Sequence, residues 1–243
     1  DYAWWREGEG PWSTRPMPVA AIQKRLNELG YHGTLTLKYP VRVDNLSAGR
    51  RINMVVEHPD RYQTSINSKI VEYAQLPHWR DIRWLPIDVT DMLSAGDNSI
   101  ELHCECFQHG DLTAEDPSAR YGTEIEAIYL IGDFSVQGDA LDEKPFSQNW
   151  GKFGLPPVNV QCFREHTFRL CNPVPLSFGD TTTQGLPFYA GRIQLTTNLP
   201  SNAIQPSDKI QLQIEQLDGA VAEIALDGRT VGHCISDTLP IDL

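Results

Sequence analysis

The sequence predicts an all-β protein built from two β-sandwich modules with one short N-terminal helix, and three observations carry that prediction. The first is a tetrapeptide that occurs twice, as Leu85-Pro86-Ile87-Asp88 and as Leu239-Pro240-Ile241-Asp242. Its surroundings repeat in the same order. Met54-Val55-Val56-Glu57 and then Ser65-Ile66-Asn67-Ser68-Lys69-Ile70-Val71 precede the first copy; Leu212-Gln213-Ile214-Glu215 and then Ala225-Leu226-Asp227-Gly228-Arg229-Thr230-Val231 precede the second. Each half therefore holds an alternating strand, a strand pair bent at an Asn/Asp-centred tight turn, and the tetrapeptide strand. The second observation is that short alternating runs recur about every ten residues with turn residues between them, the pattern of an antiparallel sandwich. The third is that helical spacing is clear at one place, where Val19, Ile22, Leu26 and Leu29 follow Pro18 and precede Gly30.

In chain order, residues 1–16 hold Trp4, Trp5 and Trp12 among Gly, Glu and Pro without periodicity, and are expected to be irregular and packed onto something. The helix that follows is expected to cover one end or face of a sandwich. From Gly33 the period becomes two: Leu35, Leu37, Tyr39, Val41 and Val43 alternate with polar residues, and residues 45–49 form a turn. Strands are expected at 52–57, as a hairpin over 63–71, at 82–89 and at 99–107, with a short turn of helix near Thr90. Residues 108–122 are polar and acidic and read as a surface loop, 125–136 is a strongly apolar strand, and 137–157 is a long Pro-, Gly- and Asp-rich excursion. Excursions of that length are often functional or lie at a junction, so the modules are placed at 33–122 and 123–243, after an N-terminal region of residues 1–32. Strands of the second module are expected within 158–170, 189–198, 209–216, 221–226, 229–235 and 239–243.

Alternation also assigns faces. Leu85, Ile87, Leu239 and Ile241 are expected to point inward, Asp88 and Asp242 outward or into a turn cap, and Pro86 and Pro240 to sit at an edge or a strand start, because they lack an N–H. The same argument places Ile100, Leu102, Cys104 and Cys106 on one core face and His103 opposite, which removes a His-Cys-Cys metal site. Five cysteines leave at least one unpaired within the chain, and Cys162 with Cys171 could close a disulfide loop. The first unit continues past Asp88 into the strand from Ile100 to Cys106, whereas the second stops one residue after Asp242; the second module is therefore expected to be incomplete at its C-terminus, with an open apolar edge or another segment lying in it.

The totals exclude several functions. Twenty basic against 32 acidic residues give a net charge of −12, which opposes binding to phosphate backbones and anionic membranes. No apolar run approaches the roughly 20 residues of a membrane span, and the first residues have neither the basic nor the apolar region of a signal peptide. A structural Ca²⁺ would need ordered ligands, but Asp111, Glu115 and Asp116 lack that spacing and read as a solvated loop, so no cofactor is expected. No nucleophile, histidine and acid share a frame that would mark an active site.

The segment from Gly179 through Thr181-Thr182-Thr183-Gln184-Gly185-Leu186-Pro187-Phe188-Tyr189 to Gly191, followed by Val221-Ala222-Glu223-Ile224-Ala225-Leu226-Asp227-Gly228-Arg229-Thr230-Val231-Gly232, resembles the galactose-binding-like β-sandwich of family 2 glycoside hydrolases. It is closer still to the C-terminal sandwiches of bacterial α-L-rhamnosidase-like proteins. Ile128-Tyr129-Leu130-Ile131-Gly132-Asp133-Phe134 and Ile87-Asp88-Val89-Thr90-Asp91-Met92-Leu93 fit the same grouping. The chain departs from it at Ser68, where the turn usually has Gly, and at His233-Cys234. The resemblance implies two jelly-roll, galactose-binding-domain-like modules that accompany a catalytic barrel in polysaccharide degradation. It carries over no catalytic residue, since the barrel bears the carboxylates and this chain has no run of alternating strands and helices.

Binding of carbohydrate is the activity that the resemblance and the composition favour. Sugar rings are held by aromatic faces and by planar polar groups that take paired hydroxyls, so Trp beside Arg, Asp or His is the composition to seek. His78-Trp79-Arg80-Asp81-Ile82-Arg83-Trp84 has it. Trp79, Arg80, Asp81 and Trp84 are the candidate sugar contacts, joined by His233 in the second unit. The expected partners are a carbohydrate and the catalytic domain of a parent glycoside hydrolase. The alternatives are a structural scaffold, in which Trp79 and Trp84 pack on a neighbouring module, and a self-sufficient hydrolase.

Overall fold

The computed structural model describes residues 1–73, 78–141, 162–164, 166–189, 191–199, 209–214, 217, 221–235 and 240–243. The chain is mostly antiparallel sheet. Its strands are β1 (Tyr2–Glu7), β2 (Met17–Pro18), β3 (His32–Val43), β4 (Ile52–Glu57), β5 (Gln63–Ile66), β6 (Lys69–Ile70), β7 (Trp84–Asp88), β8 (Gly96–Gln108), β9 (Tyr129–Gly132), β10 (Ser135–Gln137), β11 (Arg169–Cys171), β12 (Gln211–Leu212), β13 (Ala222–Leu226), β14 (Arg229–Cys234) and β15 (Ile241–Asp242). Among the described residues two helices, α1 (Val19–Glu28) and α2 (Pro117–Tyr121), accompany these strands beside a few single 3-10 turns. Two compact units form, residues 1–193 and residues 194–243.

In the first unit an eight-stranded sheet runs in the order β10-β11-β3-β8-β5-β6, with β1 also paired to β3 and β2 to β1. A three-stranded sheet runs β7-β4-β9. Leu35, Leu37 and Tyr39 of β3, Ile100, Leu102 and Cys104 of β8, and Ile66 of β5 share one buried cluster with Ile52, Met54 and Val56 of β4 and with Ile87 of β7. One face of each sheet therefore closes on the same core, and α1 adds Val19, Ile22 and Leu26 to it. Leu29 lies past the last turn of the helix and is exposed, because the chain reverses at Gly30 with φ +60.

Several strands differ from the expected boundaries. Residues 2–7 are a strand rather than an irregular arm: Trp5 faces the core beside Leu37, and its neighbours Trp4 and Arg6 face outward opposite Lys38 and Thr36. The expected strand 125–136 divides between the two sheets, β9 pairing with β4 and β10 with β11. It breaks at Gly132, where a Cβ would collide with the Arg51 carbonyl. Pairing therefore runs across residue 123, where the second module was expected to begin, and β11 lies parallel to the end of β3. Residues 191–198 hold no strand where one was expected. Residues 142–161, most of the excursion, and Leu239 lie outside the described residues.

Cys106 is exposed, and Phe107 takes the core position instead. The cause is a bulge: Leu35 pairs with Cys104 but Gly33 pairs with Phe107, so β8 spends three residues where β3 spends two and its alternation flips. Cys171 forms no disulfide; its thiol donates to the Ser135 carbonyl at 3.5 Å.

The sequence repeat reappears as a repeat of register. Met54 pairs with Ile87 and Asn53 with Asp88; in the second unit Leu212 pairs with Ile241 and Gln211 with Asp242. The hairpins agree as well, Ser65 with Ile70 and Ile66 with Lys69 against Ala225 with Thr230 and Leu226 with Arg229. Both tetrapeptide aspartates face outward. Asp88 accepts from the Thr90 N–H and hydroxyl at 3.0 and 2.6 Å, and Asp242 accepts from Gln211 at 2.8 Å. Pro86 sits on β7, an edge strand, where a missing N–H removes no second ladder.

Both hairpin turns need left-handed backbone at two residues, Asn67 (φ 50) and Ser68 (φ 67) in one, Asp227 (φ 47) and Gly228 (φ 78) in the other. Serine is strained there and glycine is not. Ser68→Gly is expected to stabilise the protein by about 0.5–1 kcal/mol, the balance of left-handed strain against glycine's extra chain entropy. The urea midpoint should rise with an unchanged slope, and Gly228→Ser should lower it.

Candidate functional site

The segment leading into β7 closes as a small hairpin. The Trp79 N–H donates to the Trp84 carbonyl at 2.9 Å, and the Trp84 N–H donates to the Asp81 carbonyl at 3.1 Å. Within it the Asp81 N–H donates to the Trp79 carbonyl, two residues back, at 2.7 Å, and the residue between, Arg80, has φ 62. This is a γ-turn with a bulky residue in the left-handed region, a conformation that costs on the order of 1–3 kcal/mol and is concentrated at functional sites. The Asp81 carboxylate braces it, accepting from the Arg83 N–H at 2.9 Å and from Arg83 Nε at 3.4 Å. Those contacts, the backbone N–H foremost, hold the Asp81 carboxyl below the usual carboxylate range.

Strand register then decides what Trp84 meets. Trp84 stands opposite Glu57, and Pro86 and Tyr129 both stand opposite Val55. Opposed residues share a face, and Met54, Val56 and Ile87 occupy the core face, so all of these lie on the outer face of the three-stranded sheet. Trp84 and Tyr129, on the two strands that flank β4, lean together across it with ring centroids 5.6 Å apart and planes at 35°. Trp79 stacks on Trp84 with centroids 5.7 Å apart and planes at 21°. The Arg80 guanidinium lies over Trp79, 4.7 Å from the ring centroid. Val55 points away from the core yet is fully buried, as a residue roofed by this aromatic row would be.

Charged groups rim the row. Arg83 Nη1 is 3.3 Å from Glu57 Oε1, which leaves Arg80 without an ion-pair partner among the described residues. Glu126 is pushed above the usual carboxylate range by burial first and then by repulsion from Glu57 and Glu124. Ile82, at the tip of the turn, is 77% exposed. A row of aromatic rings beside guanidinium and carboxylate groups can cover the C–H face of a ring and bind its hydroxyls. Among the described residues no group of three or more His, Cys, Asp or Glu is placed to hold a metal ion, and no helix is long and apolar enough to cross a membrane.

Four of the five candidates, Trp79, Arg80, Asp81 and Trp84, come together in this one turn. His233 lies in the unit of residues 194–243, exposed on β14 opposite Glu223, whose carboxylate accepts from the Thr230 hydroxyl at 2.7 Å. Asp111 accepts from the Thr113 N–H at 2.9 Å and hydroxyl at 2.6 Å, as a turn-capping residue does. Tyr129 and Glu57 belong to the row and escaped the sequence reading. The signal for them was the unbroken apolar run Met54-Val55-Val56, which marks a middle strand needing cover on both faces. No family model matches this chain, and no curated protein matches it.

Proposed function

We propose that this chain is a non-catalytic carbohydrate-binding region of a larger glycoside hydrolase-like protein, with jelly-roll, galactose-binding-like modules, and that it holds neutral saccharide along Trp79, Trp84 and Tyr129. The observation that carries the reading is the aromatic row on an exposed sheet face, ended by a strained turn that aims Trp79 and Arg80. Aromatic faces desolvate the C–H surface of a sugar, while Arg80, Asp81 and Glu57 supply donors and acceptors for its hydroxyls. The second reading is a scaffold surface that packs on a catalytic domain. It draws support from the rings' use of one another's faces and from Arg80's cover over Trp79, which leave less free ring surface for a ligand.

Titration of the chain with neutral oligosaccharides, read by calorimetry, separates the two. Saturable binding is expected, with Trp79→Ala weakening it by about tenfold or more, the loss of one aromatic contact. Silence across a broad saccharide panel with a folded wild-type chain would sink the binding reading in favour of the scaffold. Turnover of an aryl glycoside by this chain would overturn both.

A further inference from the structure

The outer face of the other sheet carries a second cluster. Leu35, Leu37 and Tyr39 of β3 point into the core, so Thr36 and Lys38 point outward, and the register extends that face over four strands. Arg6, Thr36, His103 and Gln63 form one row across β1, β3, β8 and β5; Trp4, Lys38, Glu101 and Ser65 form the next. The loop after β1 returns alongside it, held by the Ser13 N–H donating to the Trp5 carbonyl at 2.8 Å and the Trp5 N–H donating to Ser13 Oγ at 3.2 Å. It lays Trp12 across both of these rows: Arg6 Cζ is 5.0 Å and Lys38 Nζ 5.6 Å from the Trp12 ring centroid.

The two cations are not equivalent. Lys38 is neutralised by Glu101 at 3.5 Å. Arg6 has no ion-pair partner among the described residues, and its Nε is shut away from water without a hydrogen bond. Ser99 Oγ, on the same outward side of β8, is a second buried group with no hydrogen-bond partner among the described residues. His103 Nδ1 is engaged with the Thr36 hydroxyl at 3.0 Å, which fixes the ring between Arg6 and Gln63. In a chain of net charge −12, the Arg6 guanidinium, 5.0 Å from the Trp12 ring centroid, is a local uncompensated positive charge. A guanidinium so placed presents a fork that matches a carboxylate.

We infer that this face is a second saccharide site, and that it takes a short saccharide bearing carboxylates, a hexuronate oligomer, in which one unit's carboxylate pairs with Arg6 while His103, Gln63 and Ser65, two and three strands away at about 4.8 Å per strand, face the hydroxyls of further units. The two sites lie on opposite outer faces of one sandwich, so each can be lost without the other. The chain's overall negative charge does not forbid a short anionic ligand, because screening at physiological salt confines electrostatics to about 8 Å and the local cations dominate at contact.

The test uses two ligands that differ only at C6, a cello-oligosaccharide and its C6-oxidised counterpart with a carboxylate on each unit. Calorimetric titration of the chain should show that the oxidised ligand binds and that added salt weakens it. Arg6→Gln should weaken it tenfold or more, Arg6→Lys should weaken it less because charge without the fork remains, and Trp79→Ala should leave it unchanged. Thermal melts confirm that each variant is folded, and Lys38→Gln, expected to weaken the oxidised ligand a fewfold, serves if the Arg6 variants are not. Failure of the aromatic row would show instead as absent neutral binding, with the oxidised ligand's behaviour intact. The site is overturned if the oxidised ligand binds no better than the neutral one, if a folded Arg6→Gln or Lys38→Gln variant binds it as wild type does, or if only sulfated oligosaccharides bind.

Discussion

Phe107→Ala is expected to destabilise the first unit by about 3–5 kcal/mol, whereas Cys106→Ala, one residue earlier, should stay within about 0.5 kcal/mol of wild type. Phe107 is fully buried and packs 6.0 Å from the Tyr31 ring, so truncation leaves a cavity that a rigid core closes only in part. Cys106 is exposed, and removing its thiol opens nothing. The pair is discriminating because plain alternation from Ile100 predicts the reverse order of effects. Urea unfolding of the two variants reads it directly: equal midpoints, or a larger loss at Cys106, would mean that the bulge in β8 does not exist in solution. A loss near 4 kcal/mol is a large share of the about 5–15 kcal/mol that holds a domain folded, so Phe107→Leu should accompany it as the milder variant.

Trp84→Ala is expected to have the largest effect on the candidate site, because Trp84 is the middle ring and touches both others. Two aromatic contacts of about 0.5–1.5 kcal/mol each are lost, and Val55 beneath becomes exposed, for a total destabilisation of about 2–3 kcal/mol. Neutral saccharide affinity should fall with it by about 2 kcal/mol, roughly 30-fold, as for a central binding residue. Trp84→Phe keeps a ring in the stack and should recover most of the stability and part of the affinity. Denaturation and calorimetry on the same samples separate the roles. If Trp84→Ala lowers stability while affinity for the neutral saccharide is untouched, the row packs the sheet and the sugar binds elsewhere.

The structural repeat was legible in the sequence because it is written in local terms. Turn chemistry at Asn67-Ser68 and Asp227-Gly228 sets each hairpin's register, and the alternation of Ile87 and Asp88 after Pro86 sets which side of β7 faces inward. Such signals act over two to four residues and need no distant partner. By the same logic Trp79, Arg80, Asp81 and Trp84 were found together, being neighbours along the chain before they were neighbours in space.

What the sequence alone did not determine are the pairings between distant segments. Tyr129 joins Trp84 through their common neighbour β4, and Arg6 meets Lys38 through the pairing of β1 with β3. In each case the contact depends on register between strands tens of residues apart. A bulge between Cys104 and Phe107 is likewise invisible in β8 itself, since it arises from the mismatch with Gly33 and Leu35 on β3. The apolar stretch from Ile125 to Val136 read as one strand because propensity is continuous across it; two sheets divide it because Gly132 must pass against the Arg51 carbonyl, where no side chain fits. Local pattern set most of the first unit's strands and faces, whereas the bulge in β8, the division at Gly132 and the choice of which faces meet to make a site were decided by tertiary pairing, because adjacency is a property of the sheet and not of one strand.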